Sequence, residues 1–396
     1  MKIIHITASY KPAYIYGGPI QSVGKLCEAT ISDTHQQHID LEVFTTTANG
    51  KNELPVETKK PLMIDGVRVT YFERWTKDHS HFSPDLLLGL QKALKQAQQK
   101  NEQIIIHIHA WWNLVSVLSC LIAKWYNIPV VLSPRGMLTN YSQNNRHASI
   151  KSLFHRLIGK HLLEYCHIHA TSTQEKENIQ SIIQPKTITI IHNLVNIPSD
   201  LSNSDESNMN KENLGLIDKF KIIFLSRIEE KKGLPLLFNA LAKIQMPFTL
   251  TIAGTGLDEY IASLKKQAII LKIDDQIQWV GQVSNNEKFK LLAQHDLLVL
   301  TSYNENFANV IIESLSVGTS VLISDQVGLS SYVKTKQLGW ITTLNPNDIL
   351  KTISEAILDA EKLNLIRKQA PIMIANDFKD AVLVQQYLYL YKDTAN

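Results

Sequence analysis

Two glutamates lie eight positions apart in "YNENFANVIIES", residues 303–314, and the stretch between them carries large apolar residues and no charge. If a helix starts near Phe307, Asn309 and Glu313 share one of its faces, while Val310, Ile311 and Leu315 turn toward a core. Glu305 then stays on the loop before the helix and Glu313 falls two turns into it. Carboxylates so placed are not a side-by-side acid and base. They suit two hydrogen-bond acceptors along one elongated ligand, with the helix amino terminus between them. Backbone N–H groups at that terminus would hold a diphosphate, and each carboxylate would accept from hydroxyls at one end, a sugar and a ribose. The plain alternative is that Glu305 caps the helix and Glu313 is exposed.

A second charged group precedes this one. "KIIFLS" runs into "RIEEKKG", which sets Arg227, Lys231, Lys232 and Gly233 at a strand end before the helical "LPLLFNALAKI". A guanidinium and an ammonium beside a helix amino terminus suit a phosphate or diphosphate. The alternative is a solvated loop in which Glu229 and Glu230 pair with the lysines. After "FTLTIAG", Gly254-Thr255-Gly256 forms a tight turn that does not extend to GxGxxG. In the first half, His107 and His109 sit one residue apart on an apolar run. His109, at the end of that run, is the candidate to meet a ligand, and a structural role for either histidine is the alternative. No carboxylate or cysteine stands near them and no Asp-x-Asp occurs, so no metal is expected.

These residues need strand ends to carry them, and the chain supplies many. Its 396 residues, 44% hydrophobic and 19% charged, are globular and too many for one ordinary core. Short apolar runs alternate with helical stretches throughout. They are "KIIHIT", "LEVFTT", "VRVTYF", "QIIIHIH", "PVVLS", "CHIHAT" and "TITII", then "KIIFLS", "FTLTIAG", "IQWVG", "DLLVLTS" and "SVLIS". Such Val/Ile/Leu-rich runs predict an α/β chain with parallel sheets covered on both faces. In open parallel sheets ligands bind at the carboxyl ends of the strands, and that rule selects the loops in which Arg227, Lys232, Gly254 and Glu305 fall. The polar stretch from Pro198 reads as a linker. It divides the chain into a domain over 1–198, a second over 199–376, and a terminal helix over 377–396 that could pack back on the first.

At this point the sequence resembles a known family. "SRIEEKKG" followed by "TSYNENFANVIIES" is similar to the retaining nucleotide-sugar glycosyltransferases of family 4, and "SPRGML" resembles bacterial members that build surface polysaccharide. Further matching pieces are "YIYGGPIQSV", "HIHAWW", "SPRGML", "IAGTG", "VGQV" and "SVGTSVLISD". The resemblance spans nearly the whole chain and implies the GT-B fold, two Rossmann-like domains facing a central cleft. It implies that Arg227 and Lys232 bind the donor diphosphate, that Glu305 touches the donor sugar and that Glu313 takes the ribose. It places the amides of Asn306, Phe307, Ala308, Asn309 and Val310 on phosphate or sugar oxygens. Gly17, Gly18 and Gly254 would line the donor site, Gly17 and Gly18 because glycine permits close backbone approach. His109 would lie near the transferred sugar, and Arg135 would meet an acceptor phosphate. The chain departs from the pattern at Ala308, where many members have glycine, and at Ser320, where proline is usual.

The implied reaction moves a sugar from a UDP- or GDP-linked donor to a glycan, or to a polyprenyl-diphosphate-linked glycan, without metal or other cofactor. Other classes are a GT-B sugar-nucleotide epimerase and a sugar-nucleotide-binding protein without transferase activity. A dinucleotide oxidoreductase would need a GxGxxG that "YKPAYIYGG" does not supply. The net charge of +3 hides +6 over residues 1–198 and −3 over the remainder, so the first half is the side to meet an anionic partner. Within it, residues 146–163 have the spacing of a basic amphipathic helix, with Arg146, Lys151, Arg156 and Lys160. They are the candidate contact with an anionic membrane surface, against the alternative of a core-facing helix with a solvated face. No nucleic-acid partner is expected. The amino terminus reads as a first strand rather than a signal peptide. Three scattered cysteines, Cys27, Cys120 and Cys166, suit a reducing compartment, so the chain is expected in the cytoplasm, peripheral to the inner membrane at most.

Overall fold

Isoleucines and valines on consecutive strands align residue for residue in the computed structural model, which describes residues 1–33, 39–139, 159–198 and 219–395. The strands, in chain order, are β1 Lys2–Ile6, β2 Asp40–Thr46, β3 Ala48–Asn49, β4 Asn52–Glu53, β5 Pro61–Ile64, β6 Val67–Phe72, β7 Ile104–His109 and β8 Val130–Ser133. They continue with β9 His167–Ala170, β10 Thr187–Ile190, β11 Phe220–Leu225, β12 Phe248–Ala253, β13 Ile277–Gly281, β14 Leu297–Leu300, β15 Ser320–Ser324 and β16 Gly339–Thr342. The described chain divides into two units, Met1–Leu194 with Phe378–Asn396, and Val195–Asp377.

In the first unit the sheet order is β10-β9-β8-β7-β1-β2-β6-β5. Every pair is parallel except β5, which runs antiparallel on the edge of β6. The period-2 pleat separates two cores. Ile4, Ile6, Ile106, Ile108, Val130 and Leu132 pack on one face with Leu86, Leu90, Val115 and Cys120 from the helices Pro84–Gln99 and Leu114–Trp125. Val43, Val67, Val69 and Tyr71 pack on the other with Val23 and Cys27 from the helix Gly18–Asp33. The helix Asp380–Ala395 joins this unit and buries Val384, Tyr387, Leu388 and Tyr391.

In the second unit the order is β13-β12-β11-β14-β15-β16, all parallel. Both sheets reverse their winding once, between β1 and β7 in the first unit and between β11 and β14 in the second. Loops leaving adjacent strands part at such a switch point and leave a crevice for ligands. Gly17 and Gly18 follow β1, and His109 ends β7. Arg227 and Lys232 follow β11, and Glu305 follows β14.

The strands expected from the sequence all form. Three elements were not expected, β5, β16 and the two-stranded ribbon β3–β4, and each is short. β16 begins on Gly339, where a Cβ would meet the Val321 carbonyl oxygen at 2.0 Å. Among the described residues no helix is long and apolar enough to cross a membrane. Arg146, Lys151 and Arg156 lie outside the described residues. The described end of the basic stretch is a helix over Lys160–Tyr165.

Candidate active site

The helix after β14 starts later than its sequence suggests. It spans Asn309–Ser316, with Ala308 at its N-cap in the left-handed region, φ 61° and ψ 78°, and the N-cap residue itself supplies no side-chain cap. Ile311, Ile312 and Leu315 are fully buried, while Val310, expected in the core, is half-buried. The shift follows from Ala308, whose left-handed backbone cannot continue a right-handed helix back to Phe307. Glu305 does not cap the helix. Its backbone pairs instead with Gln326 and Gly328, fixing the loop against the segment after β15.

Each glutamate meets a lysine. The Lys232 ammonium donates to Oε2 of Glu305, and the Lys288 ammonium donates to Oε1 of Glu313 at 2.6 Å. Both pairs are largely dry, with Lys288 and Glu313 only 5% and 4% exposed. Glu313 is therefore not the exposed helix residue of the plain alternative. Burial raises the Glu313 carboxyl above its usual range, and the Lys288 charge opposes that rise without cancelling it. Burial works the same way on Glu305, but Lys232, with Lys231 and Arg227 behind it, outweighs it and holds Glu305 below the usual range. Burial in turn lowers Lys232, against the pull of Glu305.

Lys232 is set by a 3-10 turn, Glu230–Lys232, closed by Gly233 at φ 69°. A Cβ on Gly233 would meet the Thr301 carbonyl oxygen at 2.0 Å, so only glycine lets this loop touch the end of β14. Tyr303 N–H donates to the Lys231 carbonyl and completes the junction. Arg227 is half-exposed and pairs with Glu229 at 2.6 Å, and Lys231 reaches Glu229 at 3.6 Å. The solvated-loop reading thus holds for Arg227 and Lys231 and fails for Lys232. Gly254 lies at φ 145°, where a Cβ would meet the Ser226 carbonyl oxygen at 1.9 Å. Its glycine is required by the crossing of two loops of the protein itself.

In the first unit the pleat and register put His5, His107 and His109 on one sheet face, with His5 opposite His107 and His109 opposite Ser133. His107 bonds Ser133 Oγ at 2.7 Å and Tyr391 OH at 2.8 Å. Ser133 continues to His169 at 2.6 Å, and Tyr387 OH meets His169 at 3.1 Å. Arg135 donates from Nε to His109 Nδ1 at 3.3 Å, which leaves the His109 proton on Nε2, 2.8 Å from His5 Nδ1. The His5 proton then sits on Nε2, a buried atom without a partner. Burial first, then the Arg135 charge, pushes His5 down to about 3. Burial likewise takes His169 to about 3, and His107 and His109 well below the ordinary value. Nitrogens of His5, His107 and His109 lie within 4.8 Å of one another, a spacing that raises a metal. Both ring nitrogens of His107 are already bonded, however, and a guanidinium contacts His109, which a dication would repel. The cluster reads as an ordered neutral network.

Arg135, at φ 52°, also donates to Ser22 Oγ at 3.1 Å and to Asn193 Oδ1 at 3.0 Å, so all its direct partners are neutral. Gly17 takes φ 72° at the end of the turn Tyr14–Tyr16, and Gly18 opens the next helix, exposed. His109 is 2% exposed with both ring nitrogens engaged.

Two family models match the chain side by side. One, described as Glycosyltransferase Family 4, covers residues 23–197, and one described as Glycosyl transferases group 1 covers residues 206–373. The chain belongs to the family-4-like glycosyltransferases of GT-B fold. An uncharacterised glycosyltransferase of Methanocaldococcus jannaschii is 25% identical over 91% of this chain and 90% of its own length. A Campylobacter jejuni N-acetylgalactosaminyltransferase, named for a diacetylbacillosaminyl-diphospho-undecaprenol substrate carrying N-acetylgalactosamine, is 28% identical over 44% of this chain and 47% of its own. Among solved structures, sucrose-phosphate synthase from Thermosynechococcus elongatus superposes with a TM-score of 0.73 at 17% identity, covering 99% of this chain and 98% of that one. The Anabaena protein HepE, solved with UDP and glucose, gives 0.68 at 18% identity, covering 99% and 100%.

Sequence reasoning about this glycosyltransferase missed Lys288, His5, Ser22 and Asn193. Lys288 left a signal, because it stands four residues before Leu292, on the same face of the helix Asn285–Ala293, and both are buried. The other three depend on contacts between distant segments and left none.

Proposed function

We propose that this glycosyltransferase transfers a hexose from a nucleoside diphosphate sugar, UDP- or GDP-linked, to a hydroxyl with retention at the anomeric carbon. The observation that carries the reading is the pair of lysine-held glutamates, one before and one within the helix Asn309–Ser316, at the switch point of the second unit. Amides from Asn306 to Val310 hold diphosphate oxygens, helped by the helix dipole. Lys232, together with Arg227 once it swings from Glu229, takes the charge that grows on the departing diphosphate. Glu305 accepts from the sugar hydroxyls and Glu313 from the ribose. The acceptor oxygen bonds to the anomeric carbon as the bond to the diphosphate oxygen breaks, and the acceptor proton passes to the leaving phosphate. No described side chain of the second unit is a nucleophile poised for a double displacement.

The acceptor belongs to the first unit. A glycan or polyprenyl-diphosphate-linked glycan fits the names of the Campylobacter relatives and the charge of Arg135, which no described carboxylate contacts directly. Polysaccharide assembly fits a 20% identical Klebsiella pneumoniae protein named for a cps region. Contact of residues 146–163 with an anionic membrane stays part of this reading. An epimerase would need acid/base carboxylates or histidines around the sugar, and burial holds His109, the first-unit candidate, neutral.

The test is a panel of nucleotide sugars scored by slow hydrolysis and by the rise in melting temperature. One UDP- or GDP-sugar should stand out, and Arg227→Ala should cut its turnover on the order of 100-fold or more. A panel without a responder, or near-normal turnover of the variant, overturns the reading.

A further inference from the structure

Lys288 is a buried cation for which the fold has no structural need. The helix Asn285–Ala293 buries Lys288 and Leu292, four residues apart, on one face, and an apolar residue at 288 would suit that face. A dry lysine–glutamate pair seldom repays the desolvation of its two charges, so stability does not account for it. Its geometry is selective. The ammonium occupies Oε1 of Glu313, while Oε2 has no partner among the described residues and is not among the sealed atoms. Oε2 therefore keeps some solvent access. Glu305 shows the same division, with Lys232 on Oε2 and no hydrogen bond to Oε1 among the described residues.

We propose that Lys288 is the positioning residue of the ribose subsite: it fixes one oxygen of Glu313, keeps the carboxylate anionic and presents the other oxygen to a ribose hydroxyl. This rests on the reading of Glu313 as the ribose grip. Without Lys288 the carboxylate would take up a proton and lose its strength as an acceptor, because burial alone already raises it. Among the described residues no other charge acts on Glu313 from the packed elements. Arg367, on the helix Ala360–Asp377, turns to Asp296 at 3.2 Å, and Lys362 lies over Trp340. His295 bonds Thr251 and the Leu291 carbonyl, and the helix of Glu313 carries no second titratable group.

The test measures Kd for UDP and GDP, and for their 2′- and 3′-deoxy forms, between pH 6 and 9 by calorimetry. For whichever nucleotide binds, Lys288→Met should weaken affinity about 10- to 100-fold at pH 7, the scale of one hydrogen bond to a charged group. The loss should shrink as pH rises and Glu313 ionises, and Lys288→Arg should restore most of it. In a Glu313→Gln background, Lys288→Met should change nothing further. In the wild type one deoxy form should lose affinity, and that loss should vanish in both single variants. Lys288→Met binding like wild type, or weakened equally at every pH and equally in the Glu313→Gln background, overturns the role of Lys288. Wild-type affinity in Glu313→Gln overturns the ribose reading itself. Should Lys288→Met fail to fold, the double variant, free of buried charge, and Lys288→Arg carry the comparison.

Discussion

The two units solve the same problem, polar groups at the switch point of a parallel sheet, with opposite electrostatics. The second unit uses full charges in dry pairs, Lys232 with Glu305 and Lys288 with Glu313. The first uses uncharged rings, His5, His107, His109 and His169, chained through Ser133 and tyrosines and touched by a single guanidinium. Paired charges keep a site ready for ligand charge and hydroxyls, at a desolvation cost. A neutral network orients groups cheaply while it stays neutral. Charge should therefore govern turnover in the second unit, and protons should govern stability in the first.

The strongest way to break this contrast is Lys232→Met. It removes a diphosphate donor, and turnover should fall on the order of 10²- to 10³-fold, about 2.7–4 kcal/mol in the barrier. It also leaves Glu305 buried without its counter-charge, a loss of about 3–5 kcal/mol in urea unfolding. Adding Glu305→Gln should return much of the stability and none of the turnover. If the double variant regains turnover, Lys232 serves only to neutralise Glu305.

Acidification should separate the units by a smaller amount. The folded pKa values of His5 and His169, about 3, lie below the ordinary 6.5 of an unfolded histidine. The unfolded chain then binds more protons in this range, so the contribution to stability is whole above about pH 6.5 and drains away toward pH 3. Between pH 7.5 and 5.5 each such histidine should cost about 1.4 kcal/mol. The second unit has one histidine, His295, also lowered by burial, and its depressed Glu305 loses stability only below the ordinary carboxylate range. Hydrogen exchange at the two pH values should show first-unit amides losing more protection than second-unit amides. Equal losses would show that the histidine network is not what acid attacks.

The same contrast explains what was legible in the sequence. Strands of both units announced themselves, because buried parallel strands are continuous apolar runs such as "QIIIHIH" and "DLLVLTS". The edges did not: β5 carries a proline and β16 starts on a glycine. In the second unit, Arg227, Lys232, Glu305 and Glu313 stood out because charges in short loops and at fixed spacing are conspicuous. Their pairing was not visible, since Lys232–Glu305 and Lys288–Glu313 join different elements. In the first unit His109 was singled out as a strand-end residue, but its binding to His5 and Arg135 depends on the register of β1 with β7 and on the turn after β8.

The finest comparison lies in the backbone. Each unit places an alanine in the left-handed region on a switch-point loop, Ala110 at φ 69° just after β7 and Ala308 at φ 61° before the helix Asn309–Ser316. A Cβ in that region costs roughly 1–2 kcal/mol, which glycine avoids. Glycine also widens the unfolded ensemble and returns about 0.4–1 kcal/mol of the gain. Ala308→Gly and Ala110→Gly should therefore each stabilise the protein by up to about 1 kcal/mol, read as a higher urea midpoint at unchanged slope. Destabilisation by Ala308→Gly alone would mean that its methyl group packs in a way that offsets the strain. The helix start would then be held by side-chain contact, and the second unit would differ from the first in its backbone as well as its charges.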